Sequence, residues 1–225
     1  MNKIMKAGVL ILILALPVFL YVFLKVFGEN KYKLTIYYPQ GVDSVKVDGK
    51  WKVDSIYHTI TPFEFTNQEN KKISSEAVKG KIYVADFFFT RCGSICPKMS
   101  SQLTRVQEAF KDDEGIKILS FSIDPDHDSV EVLKNYAAQY KAKSSQWYFL
   151  TGDKHKIYEL GQKGFKIPVG KEKEVVTPEY FHSSRLMLVD REGRIRGYYN
   201  GVSRDDVDKL ILEIKVLLQE YKQAS

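Results

Sequence analysis

Cys92 and Cys96 are the only cysteines of the 225-residue sequence, and three residues separate them in the segment FFFTRCGSICPKMS, residues 87–100. An apolar run ends just before them and a helical pattern begins just after them, so the spacing brings both sulfurs to one side of a helical turn. Unpaired N–H groups at a helix start, the positive end of the helix dipole and the neighbouring Arg91 all stabilise thiolate. We therefore expect both sulfurs to ionise readily.

Three kinds of chemistry suit such a pair. A structural disulfide between residues four positions apart closes a very short loop and therefore contributes little stability. Thiol-disulfide exchange needs a thiol with a low pKa, which this position favours. Two thiolates also select Cu(I), and an imidazole would complete a trigonal site that holds Cu(II) as well. The cysteines by themselves leave these alternatives open.

A third ligand would have to come from one of four histidines, which are His58, His127, His155 and His182. In α/β sheets, sites gather at the carboxyl ends of parallel strands and at the loops that face them. His182 directly precedes an apolar strand pattern, so a loop there can bring its ring to the cysteine-bearing turn. We take His182 as the best candidate for the third ligand. The alternative is that His182 is a solvated surface residue.

Asp86 lies six residues before Cys92, inside the apolar run KIYVADFFFT of residues 81–90. A carboxylate in a buried strand is costly unless it is protonated or paired, which favours a functional role. The alternative is that Asp86 faces a polar rim or pairs with a lysine.

The elements that must position these residues alternate between strand and helix patterns. Such an order predicts an α/β sandwich with a partly parallel sheet. We expect strands near 63–65, 81–90, 116–124 and 147–152, helices near 74–78, 97–111, 128–140 and 153–164, a hairpin over 185–201 and a final helix after Ser203.

The first 30 residues predict a membrane anchor. Eighteen uncharged, mostly apolar residues, 7–24, follow Lys3 and Lys6 and precede Lys25. This length is close to the thickness of a bilayer core, and no cleavage site follows. By the positive-inside rule we expect a single span in a bacterial inner membrane, with a cytoplasmic N-terminus and the rest of the chain on the periplasmic side.

The remaining chain divides into an extracytoplasmic stalk over residues 31–54 and a domain over residues 55–225. The stalk has short alternating pieces and a hairpin signal at Asp48-Gly49. The formal net charge is +6, but the basic residues are scattered through the chain. We therefore expect no nucleic-acid partner.

Three blocks together resemble the SCO (SenC) family of membrane-anchored copper proteins. They are FFFTRCGSICPKM, SIDPDHDSVEVLKNY and YFHSSRLMLVDREGRI, in the family's order and spacing, and the similarity covers about residues 55–222. The resemblance implies a thioredoxin-like sandwich, with a central mixed sheet flanked by helices. One departure is Gly93-Ser94 after the first cysteine, where the family usually has proline and an acidic residue.

The resemblance also implies a function. Family members bind copper through residues that correspond to Cys92, Cys96 and His182, which predicts one copper ion per chain and a Cys92–Cys96 disulfide when the protein is oxidised. The implied partner is the copper-binding subunit of cytochrome c oxidase or another copper protein, to which this protein would deliver copper or whose thiols it would maintain. It is then a chaperone rather than an enzyme. A periplasmic thiol-disulfide oxidoreductase, with Cys92 as the attacking sulfur, and a copper or redox sensor are the alternatives.

Two further features bear on these alternatives. In the DPxxD block, Asp124 and Asp128 are expected to shape the loop rather than bind metal, and Asp128 or Ser129 is expected to cap the next helix. Thioredoxin-type oxidoreductases usually have a cis-proline where this chain has Ser183 or Ser184, and the lack of a proline there leaves room for a metal ligand.

Overall fold

The computed structural model describes residues 3–27, 33–47, 50–167 and 184–224. The chain divides into two compact units, Met1–Lys33 and Leu34–Ser225. The predicted boundary between stalk and domain at residue 54 stays a prediction.

The first unit contains helix α1, Lys3–Phe27. The side chains described in this helix, residues 8–24, are exposed. Among the described residues, no helix qualifies by length and hydropathy as a membrane span. Anchoring of the chain by residues 1–30 therefore stays a prediction.

The second unit alternates strands and helices. Its strands are β1 (Pro39–Val47), β2 (Lys50–Tyr57), β3 (Glu64–Asn67), β4 (Lys72–Ser74), β5 (Ile82–Phe88), β6 (Ile116–Ser122), β7 (Trp147–Thr151), β8 (Arg185–Val189) and β9 (Ile195–Asn200). Its α-helices are α2 (Ile95–Ala109), α3 (Val130–Gln139), α4 (Lys154–Glu159) and α5 (Arg204–Ala224). A short 3-10 turn, Ser75–Val78, precedes β5, and a π-type turn, Leu160–Gly164, continues α4.

Seven strands form one mixed sheet in the order β4-β3-β7-β6-β5-β8-β9. The three central strands, β5, β6 and β7, are parallel, and the outer strands pair antiparallel. Every residue of β5 and β6 is buried, as expected for strands covered on both faces. The predicted α/β sandwich with a partly parallel sheet is confirmed.

Two apolar cores cover the two faces of this sheet. One contains both cysteines and the inner stripes of α2, α3 and α5, and the other packs under α4 and the β3–β4 hairpin. Helix α2 contributes Met99, Leu103 and Val106 to the first core, at the spacing of one helix face. The cysteine-bearing helix is thus fixed to the sheet by its apolar side.

The β1–β2 hairpin is a separate two-stranded sheet. Its strands pair antiparallel from Pro39 opposite Tyr57 to Val47 opposite Lys50. The predicted hairpin is confirmed, while its turn residues, 48 and 49, lie outside the described residues.

The chain enters the second unit through a polar clamp that we call the entry clamp, formed by Leu34, Arg196 and Glu220. Arg196 is almost fully buried and donates hydrogen bonds to the Leu34 carbonyl (2.8 Å) and to Glu220 Oε2 (2.8 Å). The Leu34 N–H donates to Glu220 Oε1 (2.6 Å). Asp190 also accepts from Arg196 (3.2 Å), so the buried guanidinium is paired on two sides.

Candidate metal and thiol site

The cysteine loop joins β5 to α2 at the edge of the sheet where the parallel strands end. In the strand register, Phe88 at the end of β5 lies opposite Ser122 at the end of β6. The loops that follow these two strands therefore lie side by side, at the edge where sites in open α/β sheets usually form.

Asp128 fastens the cysteine loop to the end of β6. Its carboxylate is fully buried and accepts from the Thr90 N–H (3.1 Å), the Thr90 hydroxyl (2.5 Å) and the Ser122 hydroxyl (2.5 Å). Bonds to an ionised acceptor are short and strong, so Thr90, two residues before Cys92, is held tightly. The prediction that Asp128 shapes the loop is confirmed. The helix cap is Ser129, whose side chain accepts from the Val132 N–H (3.3 Å).

Arg91 contacts Asp124 rather than serving a thiolate. Its Nη2 lies 2.5 Å from Asp124 Oδ2, and its Nε lies 3.2 Å from the same oxygen. The expectation that Arg91 supplies the cation beside the sulfur is therefore wrong, because the first carboxylate of the DPxxD block, Asp124, pairs with its guanidinium.

Cys92 lies at the N-terminus of α2 and is the more acidic of the two thiols. It is 7% exposed, and its sulfur accepts from the Cys96 N–H at 3.4 Å. Burial raises the pKa of Cys92, but hydrogen bonds from the backbone N–H groups of Cys96, Ser94 and Ile95, and from the Cys96 thiol, outweigh burial and leave the pKa below its ordinary value. This lowering matches the sequence expectation, and it arises from the unpaired N–H groups of the first helical turn.

Cys96 behaves in the opposite way. It is 3% exposed within the core beneath α2. Burial raises the pKa of its thiol far above the ordinary value, and its hydrogen bond to the Cys92 sulfur and the charge of Asp86 raise it further. The expectation that both sulfurs ionise readily is wrong for Cys96, because its thiol is buried and is also the donor in the hydrogen bond between the two sulfurs.

Asp86 is buried in the sheet near Cys96. It is 1% exposed and accepts from Ser120 Oγ at 2.5 Å, and Ser120 Oγ in turn accepts from the Trp147 indole N–H at 2.9 Å. Burial raises the pKa of Asp86 to about 7, against the lowering effect of the Ser120 hydrogen bond. The carboxyl group is thus buried instead of facing a polar rim, and it pairs with no lysine in the part of the chain that the structure describes, which favours the functional alternative.

The structure describes three of the four histidines. His58 is buried with its Nε2 2.7 Å from the Gly164 carbonyl, which makes it a packing residue, and His155 is exposed on α4. His127 lies beside the cysteine loop, with its Nδ1 3.0 Å from Asp128 Oδ1. His182 lies outside the described residues, and its role as a ligand stays a prediction.

Asp124, His127 and Asp128 offer three potential ligand atoms within 4.8 Å of one another. Both carboxylates already accept hydrogen bonds or an ion pair from the cysteine loop. We infer that these residues support the cysteine loop. The DPxxD block indicates this group in the sequence, but only the fold shows that the carboxylates contact Thr90 and Arg91.

The chain returns to the site at Ser184, the residue at which the described structure resumes before β8. The Ser184 carbonyl accepts from the Gly201 N–H at 2.5 Å. A Cβ on Gly201 would lie 3.1 Å from the side chain of Met99, one helical turn after Cys96. The start of β8 therefore lies close to the cysteine-bearing helix.

The chain is similar to several known proteins. The SCO1/SenC family model matches residues 52–219. The SCO1 protein homolog of Bacillus subtilis (strain 168) is 37% identical over 164 residues, which cover 72% of this chain and 84% of that protein.

Solved structures show the same fold. A SCO1/SenC family lipoprotein from Bacillus anthracis str. Ames is 30% identical with a TM-score of 0.63, covering 72% of this chain and 95% of that one. BsSco, described as having a disulfide switch and as a member of the Sco family of cytochrome c oxidase assembly proteins, is 36% identical with a TM-score of 0.61, covering 73% and 95%. These likenesses confirm the predicted thioredoxin-like sandwich.

Copper is present in other solved Sco proteins. ScoI of Bradyrhizobium japonicum was solved with copper bound, and at 23% identity and a TM-score of 0.57, over 71% of this chain and 99% of that one, its likeness shows the fold. The prediction of copper as the cofactor is confirmed at the level of the family. With a family match over most of its length, a 37% identical relative and the cysteine pair at the expected end of the sheet, the chain belongs to the SCO1/SenC family.

Proposed function

We propose that this protein binds one copper ion per chain through Cys92, Cys96 and His182, and delivers it to, or maintains the thiols of, the dinuclear copper site of cytochrome c oxidase. The observation that carries the proposal is the pair of free cysteines at the start of α2, whose sulfurs share a hydrogen bond. Two sulfurs that face one another, one with a lowered pKa, form a donor set suited to a soft metal.

His182 is included because of where β8 begins. The residue stands two positions before Ser184, which is bonded to Gly201 beside α2. Two residues of chain span at most about 7 Å. This short distance along the chain supports the inclusion of His182 in the proposed ligand set.

The test is a copper titration of the reduced chain. Cu(II) should produce a thiolate-to-copper charge-transfer absorption that saturates at one ion per chain. The variant His182→Ala should lose this absorption, whereas His155→Ala, which removes an exposed histidine on α4, should keep it. Unchanged Cu(II) absorption in His182→Ala would refute the proposed ligand set.

A second function, thiol-disulfide exchange, is favoured by the unequal thiols. Cys92 as thiolate would attack a substrate disulfide and form a mixed disulfide, releasing one substrate thiolate. Cys96 would then lose its proton to the Asp86 carboxylate and displace the second substrate sulfur. The substrate gains two electrons and leaves as two thiolates, which take up protons from the solvent, while the Cys96 proton stays on Asp86 and the chain is left with a Cys92–Cys96 disulfide.

Trapping distinguishes this second function. In Cys96→Ser the mixed disulfide cannot resolve, so a covalent adduct with an oxidised substrate should accumulate at Cys92, visible by mass spectrometry. If Cys96→Ser forms no adduct and the unchanged chain reduces no substrate disulfide, thiol-disulfide exchange is excluded as a function. Copper binding and delivery then remains the proposed function.

We also propose that the N-terminal segment attaches the protein to the inner membrane, with the second unit on the periplasmic side. The uncharged stretch over residues 7–24 and the lysines that flank it support this proposal. A chain that alkaline carbonate extracts fully from membranes would refute it.

A further inference from the structure

Exposed apolar side chains in the second unit are concentrated near its beginning. Among the large hydrophobic side chains described between Leu34 and Ser225, six are exposed, and five of these lie between residues 37 and 56: Tyr37, Tyr38, Val42, Trp51 and Ile56. Single exposed apolar residues are normal on a protein surface, whereas a group of them marks a contact surface. Tyr37 and Tyr38 precede the hairpin and contact Tyr198, and Ile56, opposite Gly41, lies on the other face of the hairpin. Val42 and Trp51 share one face, and we call them the hairpin surface.

Trp51 is the most exposed member of the hairpin surface, at 70%, followed by Val42 at 69%. In the strand register Trp51 lies opposite Lys46, one pair before the turn of the β1–β2 hairpin. The other tryptophan of the chain, Trp147, is fully buried. An indole combines an apolar body with one N–H donor, and tryptophan and tyrosine are therefore enriched where membrane meets water.

The charge around Trp51 is basic. The seven residues 46–52, KVDGKWK, contain three lysines and one aspartate, and Lys50 and Lys52 flank Trp51 directly. Near an anionic membrane each lysine adds electrostatic attraction. Aromatic side chains interleaved with lysines complement a surface that is apolar inside and negatively charged outside.

We propose that the β1–β2 hairpin binds the surface of a bilayer that contains anionic phospholipid, with Trp51 in the headgroup region. The inference rests on the proposed membrane attachment. The hairpin begins twelve residues after the end of α1, from Phe27 to Pro39, a length that reaches at most about 40 Å. Residues 39–44, 51, 55 and 56 of the hairpin are exposed, so the face that carries Trp51 is accessible to such a partner.

The experiment uses the full chain reconstituted with vesicles and reads tryptophan emission. Vesicles contain phosphatidylcholine alone, or phosphatidylcholine with phosphatidylglycerol, and bromine on the acyl chains close to the headgroups acts as the quencher. Because Trp51 is one of two tryptophans, quenching should remove about half of the emission in the anionic vesicles. The variant Trp51→Phe, which retains only the buried Trp147, should show no quenching.

Charge is tested by a matched pair of variants. Lys52→Glu should weaken quenching in the anionic vesicles, while Lys215→Glu, which makes the same change at an exposed position of α5, should leave it unchanged. Equal quenching in neutral and anionic vesicles would overturn the role of anionic lipid.

Flotation of the same samples distinguishes the hairpin contact from membrane attachment by the N-terminal segment. A chain that floats with the vesicles but shows no quenching overturns the hairpin contact and leaves membrane attachment intact. A chain that neither floats nor is quenched overturns both. Emission that shifts with protein concentration in the absence of lipid identifies a second copy of the chain as the partner, and also overturns the proposal.

Discussion

Replacement of Asp86 by asparagine should change how the stability of the protein depends on pH. Asp86 is almost fully buried, and burial raises its pKa from an ordinary 3.8 to about 7. Each pKa unit of difference between the folded and unfolded states corresponds to about 1.4 kcal/mol. The folded state therefore loses about 4 kcal/mol, relative to the unfolded state, by the time the carboxyl group is fully ionised.

The sign follows from proton binding. Between pH 4 and pH 7, approximately, the folded state keeps the Asp86 proton while the unfolded state has lost it, so the free energy of unfolding falls as pH rises. This contribution to stability is complete below about pH 4 and is lost above about pH 7. In Asp86→Asn the side chain carries no charge at any pH, and this fall disappears.

The assay is urea denaturation of the reduced chain at a series of pH values. The difference in the free energy of unfolding between Asp86→Asn and the unchanged protein should increase by about 3 kcal/mol from pH 5 to pH 8. The asparagine side chain brings N–H groups without acceptors, which change the free energy of unfolding by the same amount at every pH. The test is therefore the slope of the free energy of unfolding against pH. Asp112→Asn, at an exposed position, should run parallel to the unchanged protein. Parallel curves for Asp86→Asn as well would refute the raised pKa.

Two other predictions concern the thiols and the entry clamp. At neutral pH iodoacetamide should label Cys92 well before Cys96, because the pKa of Cys92 is lowered and that of Cys96 is raised, as peptide mass spectrometry can measure. Equal rates in the folded state would contradict the unequal environments. Arg196→Met should lower the free energy of unfolding by about 3 kcal/mol, because the Glu220 carboxylate loses its buried partner. Arg204→Met, at an exposed position, should change it by less than about 0.5 kcal/mol, and a similar small loss in Arg196→Met would show that the clamp contributes little.

Local patterns in the sequence are sufficient to predict most of the fold. The apolar run at 81–90 forms β5, the spacing after the cysteines forms α2, and the turn at Asp190–Gly193 joins β8 to β9 with the Gly193 N–H bonded to the Asp190 carbonyl. These signals are read within a few residues of one another. Strand β4 is missed because it has three residues, of which Ile73 alone is apolar, and so short a segment shows no alternating pattern.

The candidate site depends more on contacts between distant residues. The cysteines and Asp86 stand out by residue type, but Asp128 meets Thr90 across 38 residues, and no periodicity predicts which loop that carboxylate will hold. The difference between Cys92 and Cys96 arises in the same way. Both belong to one short motif, and only the packing of the core around Cys96 separates their pKa values.

The entry clamp also governs how mechanical load reaches the site. Tension on the chain ahead of Leu34 acts first on Arg196 in β9 and Glu220 in α5. Strand β9 is at the edge of the sheet, and β8 separates it from β5, which leads into the cysteine loop. A domain pulled from its N-terminal end thus transfers force first to an edge strand and the last helix, and α5, which is ion-paired to α2 through Asp208 and Arg105, passes that force on to the cysteine-bearing helix.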